Sequence, residues 1–179
     1  MTLYPARLML LPVDIREADA LTARRREENI RKGRVGTNNQ TSDLTVLLAN
    51  TQHGVRCEYA GWLYFWPKCE WDRFSEDPIG KADYDGWIDA KGIEQPHHKL
   101  LVPLNPHDNW AYLLVGSYDH PWYEIVGWCW GHEARTVPVT EPRPNRPCHA
   151  VSREESFFKS PGLLFEEQRR RWKPSSGKP

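Results

Sequence analysis

Residues 81–92 read KADYDGWIDAKG, a turn signal running into a strand, and this stretch decides how the rest of the chain is assembled. From Trp87 to Lys91 the run is strand-like. Side chains two residues apart on a strand share a face, so Asp89 and Lys91 point the same way. Asp83 and Asp85 keep that parity if the extended conformation continues back through the bend at Gly86. Carboxylates beside an ammonium group suit phosphodiester hydrolysis: the acids hold a divalent cation, Mg²⁺ or Mn²⁺, and the lysine orients a water and offsets phosphate charge. The competing account is local, with Asp83 and Asp85 as turn residues before Gly86 and Asp89 paired with Lys91 as a surface ion pair.

Downstream lie three more candidate strands, Leu100 to Leu104, Ala111 to Val115 and Tyr123 to Trp130, separated by turn-rich NPHDN and SYDHP. Upstream the pattern is helical. Ser42 is placed to cap a helix from about Asp43 to about Tyr64, on which Leu44, Leu47, Leu48, Thr51, Val55 and Trp62 fall on one side. Glu58 lies in the middle of that stripe. A carboxylate on an apolar face needs a partner, whether a metal, a cationic side chain or a hydrogen-bond network. Gly54 and Gly61 weaken the helix but allow close packing against a sheet.

At the N-terminal side, Ala6 to Val13 read as a short strand or extended arm, followed by a helix over DIREADALTARRREENIRKG with Gly33 near its end. Its Arg24, Arg25, Arg26, Arg31 and Lys32 form a basic run, which serves either as a solvated helix face or as a phosphate-contacting surface. His97 and His98 follow the 81–92 stretch and either contact phosphate or sit in a turn between strands. From Val137 onward the chain is proline-rich and reads as irregular. A short amphipathic helix is expected within ESFFKSPGLLFEEQRRRW, and KPSSGKP reads as disordered. The expected organisation is an α/β domain over 1–136 and a proline-rich extension over 137–179.

With 179 residues there is room for one domain with a real core. The 24 basic and 24 acidic residues cancel, so bulk charge argues neither for nor against a nucleic-acid partner. No apolar run reaches membrane-spanning length, and MTLYPARLMLLPVD lacks the features of a signal peptide, so a soluble, cytoplasmic chain without a membrane partner is expected. The four cysteines are widely spaced, with no C-x-x-C pair, and read as reduced thiols. Eight of the nine tryptophans lie between Trp62 and Trp130 and mark the core. No nucleotide-binding glycine loop, G-x-S-x-G elbow or H-E-x-x-H motif is present.

Taken in order, Glu58, then Asp83 or Asp85, then Asp89-Ala90-Lys91 give E…D…D-x-K. This resembles the signature of the PD-(D/E)xK nuclease superfamily. GVRCEYAGWLYFWP is similar to its G-x-x-x-E-x-A helix, and WIDAKG, KLLVPLN, WAYLLVGSY and YEIVGWCWG are similar to the strands of a small phage or prophage nuclease-like family, over residues 41–134. The resemblance implies a restriction-endonuclease-like core, a mixed central sheet flanked by helices, and an Mg²⁺-dependent (or Mn²⁺-dependent) endonuclease acting on DNA. It implies Asp83 or Asp85 and Asp89 as metal ligands, Glu58 in support of the metal or its water, and Lys91 as catalytic lysine. Arg24, Arg25, Arg31, Lys32, His97 and His98 would then contact DNA, and a homodimer would cut both strands. If the chain is phage-encoded, it would act in the host bacterial cytoplasm. Ala82 replaces the usual proline, and Asp89 stands where glutamate is commoner. The rival function is a nuclease-like module that binds without cutting.

Overall fold

In the computed structural model, residues 5–32, 44–66, 81–143 and 146–171 are described. Their elements, in chain order, are β1 (Ala6–Met9), α1 (Pro12–Arg31), α2 (Leu44–Phe65), β2 (Ile88–Ile93), β3 (Leu100–Pro103), β4 (Ala111–Asp119), β5 (Trp122–Trp130), α3 (Gly131–Ala134), β6 (Val139–Arg143), β7 (Arg146–Val151) and α4 (Pro161–Arg171). The chain is mixed α/β, as expected. It has two sheets where one was expected.

The first sheet has the order β1-β5-β4-β2, with β2 and β4 parallel and the other pairs antiparallel. A parallel pair needs a long crossover, and here residues 94–110, which include β3, supply it. That excursion places β3 in a second, antiparallel sheet of order β3-β7-β6. The proline-rich stretch beyond Val137, expected to be irregular, thus forms two strands. Proline cannot donate to a ladder and is tolerated at edges and bulges. Pro142 lies on the edge strand β6, and Pro147 lies at the register shift between Thr140 and Arg143.

Period-two alternation on β4 separates two cores. Ala111, Leu113 and Val115 join Ile88, Ala90 and residues of α1 and α2 on one face. Tyr112 and Leu114 join Leu100, Val102 and Val151 on the other, against the second sheet. Helices, mixed sheet and second sheet therefore form three layers.

Helix α1 begins at Pro12, two residues before the expected start, because proline is suited to the first helical turn and Asp14 accepts the Leu11 N–H at 2.7 Å. Helix α2 spans nearly the expected range. Val55 is buried on it and Trp62 packs against the core, while Thr51, expected on the same stripe, is exposed. The side chains of Leu44, Leu47 and Leu48, the caps at Ser42 and Gly33, Cys69 and the terminal KPSSGKP lie outside the described residues. Cys57, Cys129 and Cys148 are buried. No helix among the described residues is long and apolar enough to cross a membrane.

Candidate active site

Asp83, Tyr84 and Asp85 enter a tight turn before β2. Asp85 and Gly86 have φ of 48° and 72°, and the Trp87 N–H reaches the Tyr84 carbonyl at 3.1 Å. Aspartate and glycine are the residues that tolerate positive φ, so the local reading describes Asp85. Its carboxylate accepts a hydrogen bond from Gln168 Nε2 of α4 at 3.1 Å. Asp83 is held differently. Its Oδ2 accepts the Ala90 N–H at 2.7 Å, taking up an amide of β2, the edge strand of the mixed sheet.

Tyr84 is buried between these two acids, and its hydroxyl donates to the Glu58 carbonyl at 2.5 Å. This bond fixes the turn against α2 and brings Asp83 toward Glu58. The approach requires glycine at 61, since a Cβ there would stand 2.6 Å from the Tyr84 hydroxyl. Farther along the helix, Gly92 of β2 passes under His53 and Cys57 with similar closeness. Two glycines thus set the spacing between α2 and the strand that carries D-x-K.

On β2, Ile88 and Ala90 enter the helix-side core, and Asp89 and Lys91 share the other parity. Lys91 Nζ donates to both oxygens of Asp89, at 2.8 and 2.7 Å. With side-chain exposures of 11% for Asp89 and 35% for Lys91, this is a partly buried pair rather than an open surface pair. Glu58 has its partner in Arg25 of α1, at 2.7 Å, and both side chains are 17% exposed. The acid on the apolar stripe is therefore matched by an arginine from the neighbouring helix. The resemblance places Arg25 at DNA instead.

Electrostatics tie the four residues together. Burial pushes the Glu58 carboxyl above the ordinary glutamate range, with Arg25 and Lys91 opposing the shift. Burial pushes Asp83 well above the usual aspartate value, and Glu58 and Asp89 push it further. Burial works against the Lys91 ammonium, but Asp89 and Asp83 outweigh it and hold the lysine above its ordinary value. Three carboxylates, Glu58, Asp83 and Asp89, face two cations, Arg25 and Lys91. The excess negative charge calls for a proton on Asp83 or an added cation.

The donors are hard carboxylate oxygens, which suit Mg²⁺ or Mn²⁺. Among the described residues, no group of three or more His, Cys, Asp and Glu side chains is arranged to hold a metal ion. Mg²⁺ commonly takes only one or two carboxylates, with waters and substrate phosphate completing its shell; an ion at Asp83 and Asp89 would be of that kind. Lys91 must then give up at least one Asp89 oxygen.

The remaining expected residues make no contact with the acids of this cluster among the described interactions. Arg31 and Lys32 pair with Glu28 within one helical turn, at 2.6 and 3.0 Å, as on a solvated face. Arg24 is exposed on the same helix. His97 and His98 lie exposed in the turn between β2 and β3, where the His98 N–H reaches the Gln95 carbonyl. The sequence does not single out Tyr84 or His53. His53 shares a 3.1 Å hydrogen bond with Ser117 through Nδ1, and burial lowers its pKa. No local pattern marks either one, because each acts through a residue distant in the chain. No known protein family, curated protein or solved structure matches this chain.

Proposed function

We propose that this protein is a Mg²⁺- or Mn²⁺-dependent deoxyribonuclease of PD-(D/E)xK type with a restriction-endonuclease-like core, hydrolysing phosphodiester bonds in DNA in the cytoplasm. One observation carries the reading. Glu58 of α2, Asp83 of the turn and Asp89 and Lys91 of β2 are drawn together from three segments: Tyr84 ties the turn to the Glu58 carbonyl, Asp83 takes the Ala90 N–H, and Lys91 holds Asp89, so that three carboxylates stand against Lys91 and Arg25. Gathering acids out of water costs free energy, which Arg25, Lys91 and the Ala90 N–H offset only in part, and such groups of perturbed acids are common at functional sites.

A bound divalent ion would supply Lewis acidity toward the scissile phosphate and a more acidic water. Asp83 and Asp89 would hold it. Lys91, kept protonated by Asp89 and Asp83, has its ammonium on the Asp89 carboxylate, and the residue lines an open groove. There it donates hydrogen bonds to a phosphate oxygen or positions the attacking water. Glu58, fixed by Arg25, keeps negative charge beside Asp83 and Lys91 and so tunes both.

Asp89→Ala or Lys91→Ala is expected to abolish Mg²⁺-dependent cleavage of plasmid and oligonucleotide DNA while leaving the fold intact by circular dichroism. Unchanged cleavage in both variants overturns the proposal. A second reading, binding without cutting, is favoured by the grip of Lys91 on both Asp89 oxygens. Calorimetric titration with Mn²⁺ separates the two, because a cleavage-silent module shows no binding at millimolar metal.

A further inference from the structure

A groove of about 980 Å³ opens beside Lys91, and it is built partly from the second sheet. Helix α2 borders it at His53, the end of β2 from Lys91 to Ile93 forms part of its lining, and Leu101 and Pro147 contribute from β3 and β7. Lys99, Arg146, His97 and His98 also line it, and Glu94 is its one acidic residue among the described residues. In a chain with zero net charge, Lys99 and Arg146 thus stand against Glu94 around a partly apolar cleft, while Lys91 is already matched by Asp89. Such a lining suits a polyanion that also carries flat, weakly polar groups. His97 and His98 are exposed, with ring centroids 4.8 Å apart, and histidine rings are among those on which unpaired bases stack.

We infer that this groove holds an unpaired strand of DNA and leads its backbone to Lys91. The inference rests on the hydrolytic reading above and names its substrate class. The volume is at the upper end of the range that encloses small ligands, about 300–1,000 Å³. That volume accommodates a few nucleotides of one strand. Phosphates track Lys99 and Arg146, and bases lie against Leu101, Pro147 and the histidine rings.

The test is fluorescence anisotropy on the full chain with a labelled single-stranded oligonucleotide and the duplex of the same sequence, in EDTA so that nothing is cut. The single strand is expected to bind at least about tenfold tighter than the duplex. Lys99→Glu and Arg146→Glu are each expected to weaken it about tenfold and to flatten the dependence of log K on log salt by about 0.7 for each phosphate no longer neutralised. Arg16→Glu makes the same charge change on the exposed face of α1 and is expected to leave binding unchanged. Matching thermal melts establish that all three variants are folded. Equal or tighter duplex binding, or groove variants indistinguishable from Arg16→Glu, overturns the inference. Cleavage assays with Mg²⁺ keep the two readings separate. Groove-dependent binding with no cleavage under any metal sinks only the hydrolytic reading, whereas cleavage of single strands with wild-type KM in both groove variants sinks only the groove.

Discussion

Asp83 accepts the Ala90 N–H while facing Glu58 and Asp89, so its structural role asks only for an acceptor oxygen, and its charge is a liability in the metal-free protein. Asparagine keeps the acceptor and removes the charge. The folded pKa lies above the unfolded value of 3.8, so the folded state binds more protons and wild-type stability falls as pH rises through the raised pKa. Each unit of elevation is worth about 1.4 kcal/mol once pH exceeds the folded pKa. Metal-free Asp83→Asn is therefore expected to match the wild type at acidic pH and to melt higher at neutral pH, while losing divalent-ion binding. Apparent metal affinity of the wild type should climb with pH over the same window, since the ion displaces a proton. Thermal melts and calorimetry across pH check both, and equal melting of the two proteins at neutral pH would contradict the assignment. Arg25 allows a second separation of stability from function. Arg25→Ala leaves a largely buried Glu58 unpaired and is expected to cost about 3 kcal/mol, whereas Arg25→Met with Glu58→Met should recover most of that loss in urea melts yet remain inactive. A stable Arg25→Ala would instead favour the DNA-binding role suggested by the basic run.

At the scale of elements, the glycines of α2 give opposite expectations on one helix. A Cβ at Gly61 would collide with the Tyr84 hydroxyl, and one at Gly54 meets nothing within 4 Å. Gly61→Ala is expected to destabilise by about 1–3 kcal/mol and to displace the turn that carries Asp83. Gly54→Ala is expected to stabilise by about 0.5–1 kcal/mol through helix propensity. Denaturant melts of both variants check the pair, and equal effects would show that α2 does not set the position of the turn. These helices and the strands β2 to β5 were legible because the helices carry a 3.6-residue apolar period and the strands are short apolar runs bounded by turn residues. Strand partners were not legible. Leu100 to Pro103 alternates like any half-buried strand, and nothing local assigns it to β7 rather than to β2. Likewise Glu58 could be read as an acid needing a partner, but that the partner is Arg25, 33 residues earlier, depends on how α1 packs against α2. The choice between Asp83 and Asp85 turned on backbone conformation. At a positive φ, Asp85 serves the turn and faces Gln168, an approach of α4 that no spacing announces.

At the scale of the whole molecule, the second sheet decides where the chain can be cut. A boundary at residue 136, natural from the proline content beyond it, divides β3 from β7, its ladder partner. Beyond that point Val151, Phe158 and Leu164 are buried, with Val151 and Phe158 on the second-sheet side of the mixed sheet and Leu164 on the helix side. The Trp128 and Lys159 backbones exchange both hydrogen bonds, at 3.0 and 2.8 Å, so the C-terminal segment also extends the pairing of β5. Burying each of those three apolar side chains is worth about 1.5–3 kcal/mol, and their sum approaches the net stability of an ordinary domain, about 5–15 kcal/mol. Truncation after residue 136 is therefore expected to give an aggregating or unfolded product, not a nuclease domain lacking a tail. Circular dichroism and size-exclusion chromatography of this truncation against the full chain make the comparison. A folded, monomeric 1–136 fragment would show that the layer carrying Asp83, Asp89 and Lys91 is autonomous and that the groove beside it is an addition, whereas its collapse ties the site and its groove to one folding unit.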